Sequence, residues 1–577
     1  MKKYGILLAL LIASLSNMYA QRSVQELDKA LLQVDLYNDV YFQLPLDEIS
    51  NINDLPSFIS ISNVIKKEGI VQAYVHKINL EKLLALNLNF EVISRNNTKD
   101  VTVFNMATTT ADMSAWDRYP TYDVYVQMMQ DFAADYPAIA RLVTIGTSQG
   151  GRDILAIKIT DNPDIDEDEP EFFYSGQMHG NELVSSIMLL RLADYLLSNY
   201  GSDSQVDNLV NNVEIWINPL ANPDGLYRND DNTVSTASRY FNNGVDPNRN
   251  FPSSADEHPD GNAWAVETVA MMDFSDAHDF VLSCNIHSGA EVANYPWDEW
   301  ESNTREHVDV DWWQLVAYEY ANTVYNNSPY GYFTDVTADG VTEGGDWYVV
   351  IGGRQDYMNY FKQCRELTLE LSSTQMLSST ELPNHWNYNY NSLLKYMEQS
   401  LYGIRGIITD AQTGDPIKAK VEIVGYDDDV SFVYSSLPIG NYHRLIKTGT
   451  YDVTYSKDGY ISQTISVNTT DYQTTVQDVA LVPDSLDLSE LPLKDLIEII
   501  PNPTVDNKLI IRFGTTISNI RLNVFDVLGK NILNVEKHQI LSGNSLVIDM
   551  SNFEKGLYYL TMVTKQGESI TKKVILN

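Results

Sequence analysis

Between Glu171 and Ser186 the sequence reads EFFYSGQMHGNELVSS, setting His179 three residues before Glu182 where one apolar run ends and another begins. An imidazole and a carboxylate so spaced, at a turn from strand to helix, can point two ligands at one metal ion. A catalytic zinc takes three protein ligands and keeps a fourth position open for water. The third candidate is His287 in LSCNIHSG, 105 residues past Glu182 and at the end of an apolar run. Hydrolysis also needs a general base that is not itself a ligand. Glu370, closing the run ELTLELSS, meets that need. Taken alone, in a chain with nine histidines, His179–Glu182 reads first as a polar turn opening a helix.

Strand ends must deliver these residues. From Tyr119 to about Leu401, VYVQMMQDFAADY and LVSSIMLLRLADYLLSNY have helical spacing, whereas ILAIKIT, EFFYSG, VEIWINP and FVLSCNIHS are apolar runs of strand length. The alternation predicts an α/β catalytic domain over 113–402, a mixed sheet with helices on both faces. Ligands in such sheets bind at the carboxyl ends of strands, where His179, Asn218 and His287 fall. Ahead of it, 21–112 alternates the strand-like EGIVQAYVHK and NFEVIS with the helical NLEKLLALNL. This is a small α+β region, suited to a removable prosegment or a permanent accessory domain. It ends in the polar, linker-like SRNNTKD and MATTTADMSA. Behind the catalytic domain, 403–483 and 499–577 alternate with period two between turns, predicting two small all-β sandwich domains joined by a linker at 484–498.

The 577 residues suffice for about three or four domains at ~150 residues each. With 78 acidic against 39 basic residues the net charge is −39, which excludes nucleic acid as a partner. Lys2 and Lys3 precede an apolar run from Ile6 to about Leu15, and Met18-Tyr19-Ala20 stands before Gln21. That is the pattern of a signal peptide over 1–20, too short to span a bilayer. No other run approaches membrane length, so an exported mature chain without a transmembrane segment is expected. Cys284 and Cys364 allow one bridge or two buried thiols. The acidic run at 160–171, TDNPDIDEDEPE, offers oxygens to calcium but lacks a calcium-loop pattern and reads as a solvated stretch.

The motifs HGNE, NPDG, GVDPNRNFP, IHSGAEVANYP and WYVVIGGRQDYMNYFKQCRELTLELSS follow one another from His179 to Ser373, within a likeness of about 280 residues. In order and interval this resembles the M14 zinc metallocarboxypeptidases, most of all the regulatory, N/E-type subfamily. The resemblance implies one Zn2+ held by His179, Glu182 and His287. It implies Glu370 as the base that takes a proton from the metal-bound water and delivers it to the leaving amine. Arg239, nine residues before Asn248, stands where the family stabilises the oxyanion. Asn248 and Arg249 match the pair that holds the substrate's terminal carboxylate, for which a planar guanidinium is suited. Tyr348, 22 residues before Glu370, matches the tyrosine that closes over it, and Asn181 is a further substrate-facing polar group. Pro247 stands where the family has an apolar residue.

In basic-specific members an acid at the position of Asp298 faces the side-chain pocket, and Gln355 in GGRQDY agrees with that subfamily. A carboxylate there would pair with a substrate Lys or Arg and reject apolar ones by being left unpaired. Asp298 reads alternatively as a loop acid, since Glu299 and Glu301 follow it. Residues 403–483 resemble the transthyretin-like, carboxypeptidase regulatory-like sandwich of N/E-type enzymes. Residues 499–577, with IIPNPT and GLYYLTM, resemble the C-terminal sorting domain of the type IX (Por) secretion system. The expected function is hydrolysis of the C-terminal peptide bond of peptides and proteins, favouring Lys or Arg. Delivery runs through the periplasm and the type IX machinery to the cell surface or medium. The rivals are a cell-wall or other amide hydrolase of the same fold, and a catalytically dead surface-displayed binding protein.

Overall fold

In a computed structural model, residues 24–49, 52–95, 102–428, 430–484, 497–504, 506–514, 517–540, 543, 545–564 and 569–577 are described. The expected signal peptide at 1–20 and most of the expected linker at 484–498 lie outside the described residues. The chain forms two compact units, the larger running to Lys457 and adding Ser462–Leu481, the smaller comprising Asp458–Ile461 and Val482–Asn577.

The larger unit opens with a helix over 24–37 (α1) and a four-stranded antiparallel sheet. Its strands are β1 (Asp39–Pro45), β2 (Ile59–Ile65), β3 (Ile70–His76) and β4 (Glu91–Val92), in the order β2-β3-β1-β4, with α2 (Leu80–Ala85) before β4. Side chains alternate across such a sheet. Val40, Phe42 and Leu44 of β1 therefore join one core with Ala30, Leu80 and Leu83. Tyr41 and Tyr74, opposite one another in register, stack at 4.4 Å and cluster instead with Tyr240.

The stretch MATTTADMSA differs from the expected linker. Its start, β5 (Met106–Ala107), pairs with β6 (Tyr119–Pro120), and a short 3-10 helix runs from Thr110 to Ala115. The Asp112 carboxylate accepts from the backbone N–H of Thr108 at 3.0 Å and of Thr109 at 2.9 Å, while Met113 is buried. The polar residues that suggested a loop are the caps of an ordered turn.

There follow α3 (Tyr122–Asp135), β7 (Ala140–Thr147), β8 (Asp153–Ile159), β9 (Glu171–Gly176), α4 (Val184–Asn199), α5 (Ser204–Val210), β10 (Glu214–Asn218), α6 (Pro223–Leu226) and α7 (Val266–Asp276). Then come β11 (Phe280–His287), β12 (Ala290–Tyr295), α8 (Val310–Asn327), β13 (Val341–Glu343), α9 (Gly344–Trp347), α10 (Arg354–Lys362), β14 (Arg365–Ser372) and α11 (Leu382–Glu398). The strands form one eight-stranded mixed sheet, ordered β13-β12-β14-β11-β9-β10-β8-β7, whose centre β14-β11-β9-β10 is parallel. Phe172 and Tyr174 of β9 point into a core with α3, α4, α8 and α11, whereas Phe173 points into one with α7 and α10. Every residue of α4 from Val184 to Leu190 is buried. At roughly 1.5–3 kcal/mol for each large apolar side chain, that packing fixes the helix start and Glu182 just before it.

Residues 403–481 form two facing β-sheets, and along Gly403–Asp410 buried residues alternate with partly buried ones. Apart from Asp458–Ile461, this sandwich belongs to the same compact unit as the eight-stranded sheet. Arg444 bridges the two, donating to Asp309 Oδ1 and Oδ2 at 2.8 and 2.9 Å, and Arg365 of β14 donates to Asp309 at 2.6 Å. The smaller unit is all-β, with antiparallel sheets enclosing Leu509, Ile511, Phe513, Leu522, Val524, Leu560 and Met562. Both cysteines are free and buried. No described helix is long and apolar enough to cross a membrane.

Candidate active site

His179 follows β9, Glu182 precedes α4, and His287 is the last residue of β11. Gly180 is required between them, because a Cβ there would stand 2.3 Å from the backbone carbon of Gly225 and 2.5 Å from the carbonyl oxygen of Ser238. The turn thus lies flush on neighbouring backbone. His179 Nδ1 lies 2.7 Å from Glu182 Oε1, and His287 Nδ1 lies 2.8 Å from Glu182 Oε2. One donor atom from each of the three residues falls within 4.8 Å of the others, and all three residues are buried.

The outer nitrogens are already engaged. His179 Nε2 lies 3.0 Å from Asp246 Oδ1, and His287 Nε2 lies 2.7 Å from the Asn285 side-chain amide. Such partners fix ring orientation and turn the remaining nitrogen toward a metal. Two imidazole nitrogens and one carboxylate oxygen, converging in a buried site, fit zinc with a position left open. Asp246 and Asn285 were not singled out in the sequence. The signals were nonetheless present: Asp246 sits within GVDPNRNFP, and Asn285 lies two residues before His287 on the same face of β11. Burial pushes the Glu182 carboxyl up, yet His179 and His287 overcome it and hold the group well below the usual carboxylate range.

Glu370 pairs in register with His287 across the parallel ladder of β11 and β14. It is buried, and its Oε2 has no partner among the described residues. Burial, reinforced by Glu182 and opposed by Arg239, raises its carboxyl well above the ordinary range. Arg239 is held by Asp246, to whose Oδ2 its Nε donates at 2.9 Å, with a longer 3.4 Å contact from Nη1 to Glu182 Oε1.

One small cavity, of about 20 Å³, is lined by His179, Glu182, Arg239, Asn248, Arg249, His287, Asp298, Tyr348 and Glu370, together with Ser62 of β2. It is small because β2 lies across it. Arg249 Nη2 donates to the Ile61 carbonyl at 3.0 Å, and Tyr348 Oη reaches the Ser62 carbonyl at 3.5 Å. Gln375 Nε2 donates to Ser62 Oγ at 2.9 Å, and Tyr74 of β3 donates to Gln375 Oε1 at 2.8 Å. Asn181 does not line the cavity; its Nδ2 donates to the Tyr74 hydroxyl at 3.0 Å.

Asp298 is buried at the cavity wall, its Oδ1 accepting from Asn294 Nδ2 and Gln355 Nε2, each at 3.0 Å. Burial pushes its carboxyl up to about 6, with Asn294 and Arg249 opposing. Gln355 lies behind Asp298 and does not line the cavity. In the acidic run, oxygens of Asp161, Glu167 and Glu169 also fall within 4.8 Å of one another. Two of these acids already accept side-chain donors, Glu169 from Thr160 and Glu167 from Asn162.

The family described as zinc carboxypeptidase matches residues 125–392, and that described as secretion system C-terminal sorting domain matches residues 498–577. Human (Homo sapiens) carboxypeptidase D is 35% identical over 353 residues, covering 59% of this chain and 25% of that protein. The carboxypeptidase N catalytic chain of Mus musculus is 32% identical over 399 residues, covering 63% of this chain and 86% of the relative. The chain therefore spans about a quarter of the length of the carboxypeptidase D relatives it matches. Among solved structures, carboxypeptidase A from Helicoverpa armigera aligns with 63% of this chain and 97% of its own, at 18% identity and a TM-score of 0.47.

Proposed function

The chain belongs to the zinc carboxypeptidase family, and from that premise we propose that it removes the C-terminal residue of peptides and proteins, favouring Lys and Arg. The observation that carries this reading is that one cavity gathers a His-Glu-His donor set, a buried carboxyl with one oxygen unpartnered among the described residues, and an Asn-Arg-Tyr group suited to a terminal carboxylate. An endopeptidase has no use for that last group.

His179 Nδ1, Glu182 and His287 Nδ1 would hold one Zn2+, with Asp246 and Asn285 orienting the rings. When bound, zinc polarises the scissile carbonyl and acidifies water, supplying a nucleophile near neutral pH. Glu370, made more basic by burial beside Glu182, takes the proton from the attacking water and passes it to the leaving amine. Arg239 donates to the oxyanion, where charge develops only in the transition state. Arg249 grips the terminal carboxylate with its planar fork, Asn248 adds a second donor, and Tyr348 closes over it. Asn294 and Gln355 both occupy Asp298 Oδ1, which leaves Oδ2 for the cation of a substrate Lys or Arg.

Residues 24–95 hold the enzyme latent, because the Ile61 carbonyl takes the Arg249 donor that the substrate needs. A signal peptide and the C-terminal sorting domain carry the protein through the periplasm and the type IX machinery to the surface or medium. The test uses blocked dipeptides ending in Arg, Lys, Phe or Glu, with the protein full-length and after limited proteolysis. Arg and Lys should be released first, chelation should abolish release and added zinc restore it. Glu370→Gln should lose about 10²–10⁴-fold in kcat. Release that survives both chelation and Glu370→Gln would sink the reading.

A further inference from the structure

Asp298 cannot hold its own position, since it sits on the short turn from Trp297 to Glu299, and that turn is carried by α10. Asp356, in the first turn of α10, is buried and turned away from the cavity. Its carboxylate accepts the backbone N–H of Asp298 at 3.0 Å on Oδ1 and 3.2 Å on Oδ2, and the N–H of Glu299 at 2.7 Å on Oδ2. The residue before it, Gln355, holds Asp298 Oδ1 from the same helix. On the far side, the Asp298 carbonyl accepts from Val350 N at 2.9 Å, and Trp297 O accepts from Gly345 N at 2.8 Å. A Cβ on Gly344 would stand 1.8 Å from Asp298 Oδ1. The carboxylate of Asp298 is thus seated by a side chain that a substrate never meets.

We propose that Asp356 is the positioning residue for selection of basic C-terminal side chains, fixing the Trp297–Glu299 turn through its three backbone hydrogen bonds so that Asp298 faces the cleft. The proposal rests on the reading of Asp298 as the acid that receives the substrate cation. Physically, Asp356 is the counterpart of a helix-capping carboxylate used in reverse. Instead of satisfying the N–H groups of its own helix, it satisfies those of the adjoining turn. An amide in its place would present one acceptor instead of two and would set an NH2 against the donors, so the turn would have more than one arrangement. A cation-binding carboxylate that wanders loses affinity for the cation and little else.

The experiment compares KM and kcat for blocked dipeptides ending in Arg and in Phe, in wild type, Asp356→Asn, Asp356→Glu and Asp298→Asn, all after the same limited proteolysis. Asp356→Asn should raise KM for Arg about tenfold, the upper end of what one lost hydrogen bond contributes, with kcat and the Phe constants within about twofold. Asp356→Glu, which keeps two acceptor oxygens, should recover part of the Arg KM. Asp298→Asn should abolish the Arg preference outright. If wild type does not prefer Arg to Phe, the reading of Asp298 fails and this proposal with it. If wild type prefers Arg but Asp356→Asn changes Arg and Phe alike, or neither, the positioning role alone is overturned. Should Asp356→Asn not fold, Asp356→Glu carries the same comparison: a rise confined to the Arg KM supports the role, and equal changes overturn it.

Discussion

That His179, Glu182, His287 and Glu370 meet in one cavity was legible in the sequence, because the apolar runs mark the strand ends at which these residue types lie. Asp246 and Asn285 were not, because an Asp or Asn becomes an orienting partner only once the fold brings it to a ring nitrogen. Their contribution is measurable. Asp246→Ala should weaken zinc about 10–100-fold, the usual effect of losing a ligand's outer partner, read by competition with a chelating dye; unchanged affinity would refute the orienting role. Asp298 gives a pH prediction. Its carboxyl is pushed up to about 6, first by burial, with Asn294 and Arg249 opposing and Glu366 reinforcing. Above that value it is ionised and attracts a substrate cation, and below it is neutral and does not. KM for Arg-ended dipeptides should therefore rise as pH falls through about 6, while KM for Phe-ended ones stays level over the same window.

At the scale of elements, the periodicity of β9, β11, β14 and α4 predicted their positions closely, whereas the segment from Met106 to Ala115 was misread as a linker. Polarity there comes from Thr and Asp serving as caps, a pattern that composition does not separate from an open loop. The placement of β2 was likewise beyond the sequence, since an alternating strand says which faces are apolar and nothing of where a neighbouring sheet will dock. Docked as it is, β2 sets the Ile61 carbonyl on Arg249, the side chain proposed to hold a substrate's carboxylate. The contact is supported by buried hydrogen bonds through Ser62, Tyr74 and Gln375, each contributing about 0.5–1.5 kcal/mol net. Limited proteolysis that detaches residues 24–95 should therefore raise kcat/KM on every substrate by tenfold or more. The same activity before and after cleavage would show that the strand is displaced freely and is not a latch.

At the scale of the larger unit, the break in composition near residue 403 predicted a β-sandwich, and most of that sandwich lies in one compact unit with the eight-stranded sheet. The reason lies in three charges that a sequence reader assigns to the surface. Asp309, Arg365 and Arg444 are all buried, with Arg444 donating to both Asp309 oxygens and Arg365 joining from the strand that carries Glu370. Burial pushes the Asp309 carboxyl up, but Arg444 and Arg365 overcome this and hold it well below the ordinary range. A depressed carboxylate contributes stability that is fully present above its unfolded pKa and is lost only as pH falls through the lower folded value. The cluster therefore stabilises the joint throughout the neutral and mildly acidic range. Replacing one partner leaves a buried charge short of compensation, a loss of about 3–5 kcal/mol. Arg444→Met should lower the unfolding midpoint markedly at pH 7 and leave a smaller deficit in strong acid, where Asp309 is protonated in both proteins. Because Arg365 shares the same carboxylate, the damage should also reach the catalytic strand, and kcat should fall with stability although Arg444 touches no substrate. A variant that unfolds as wild type does at both pH values would mean the two layers are joined by apolar packing alone.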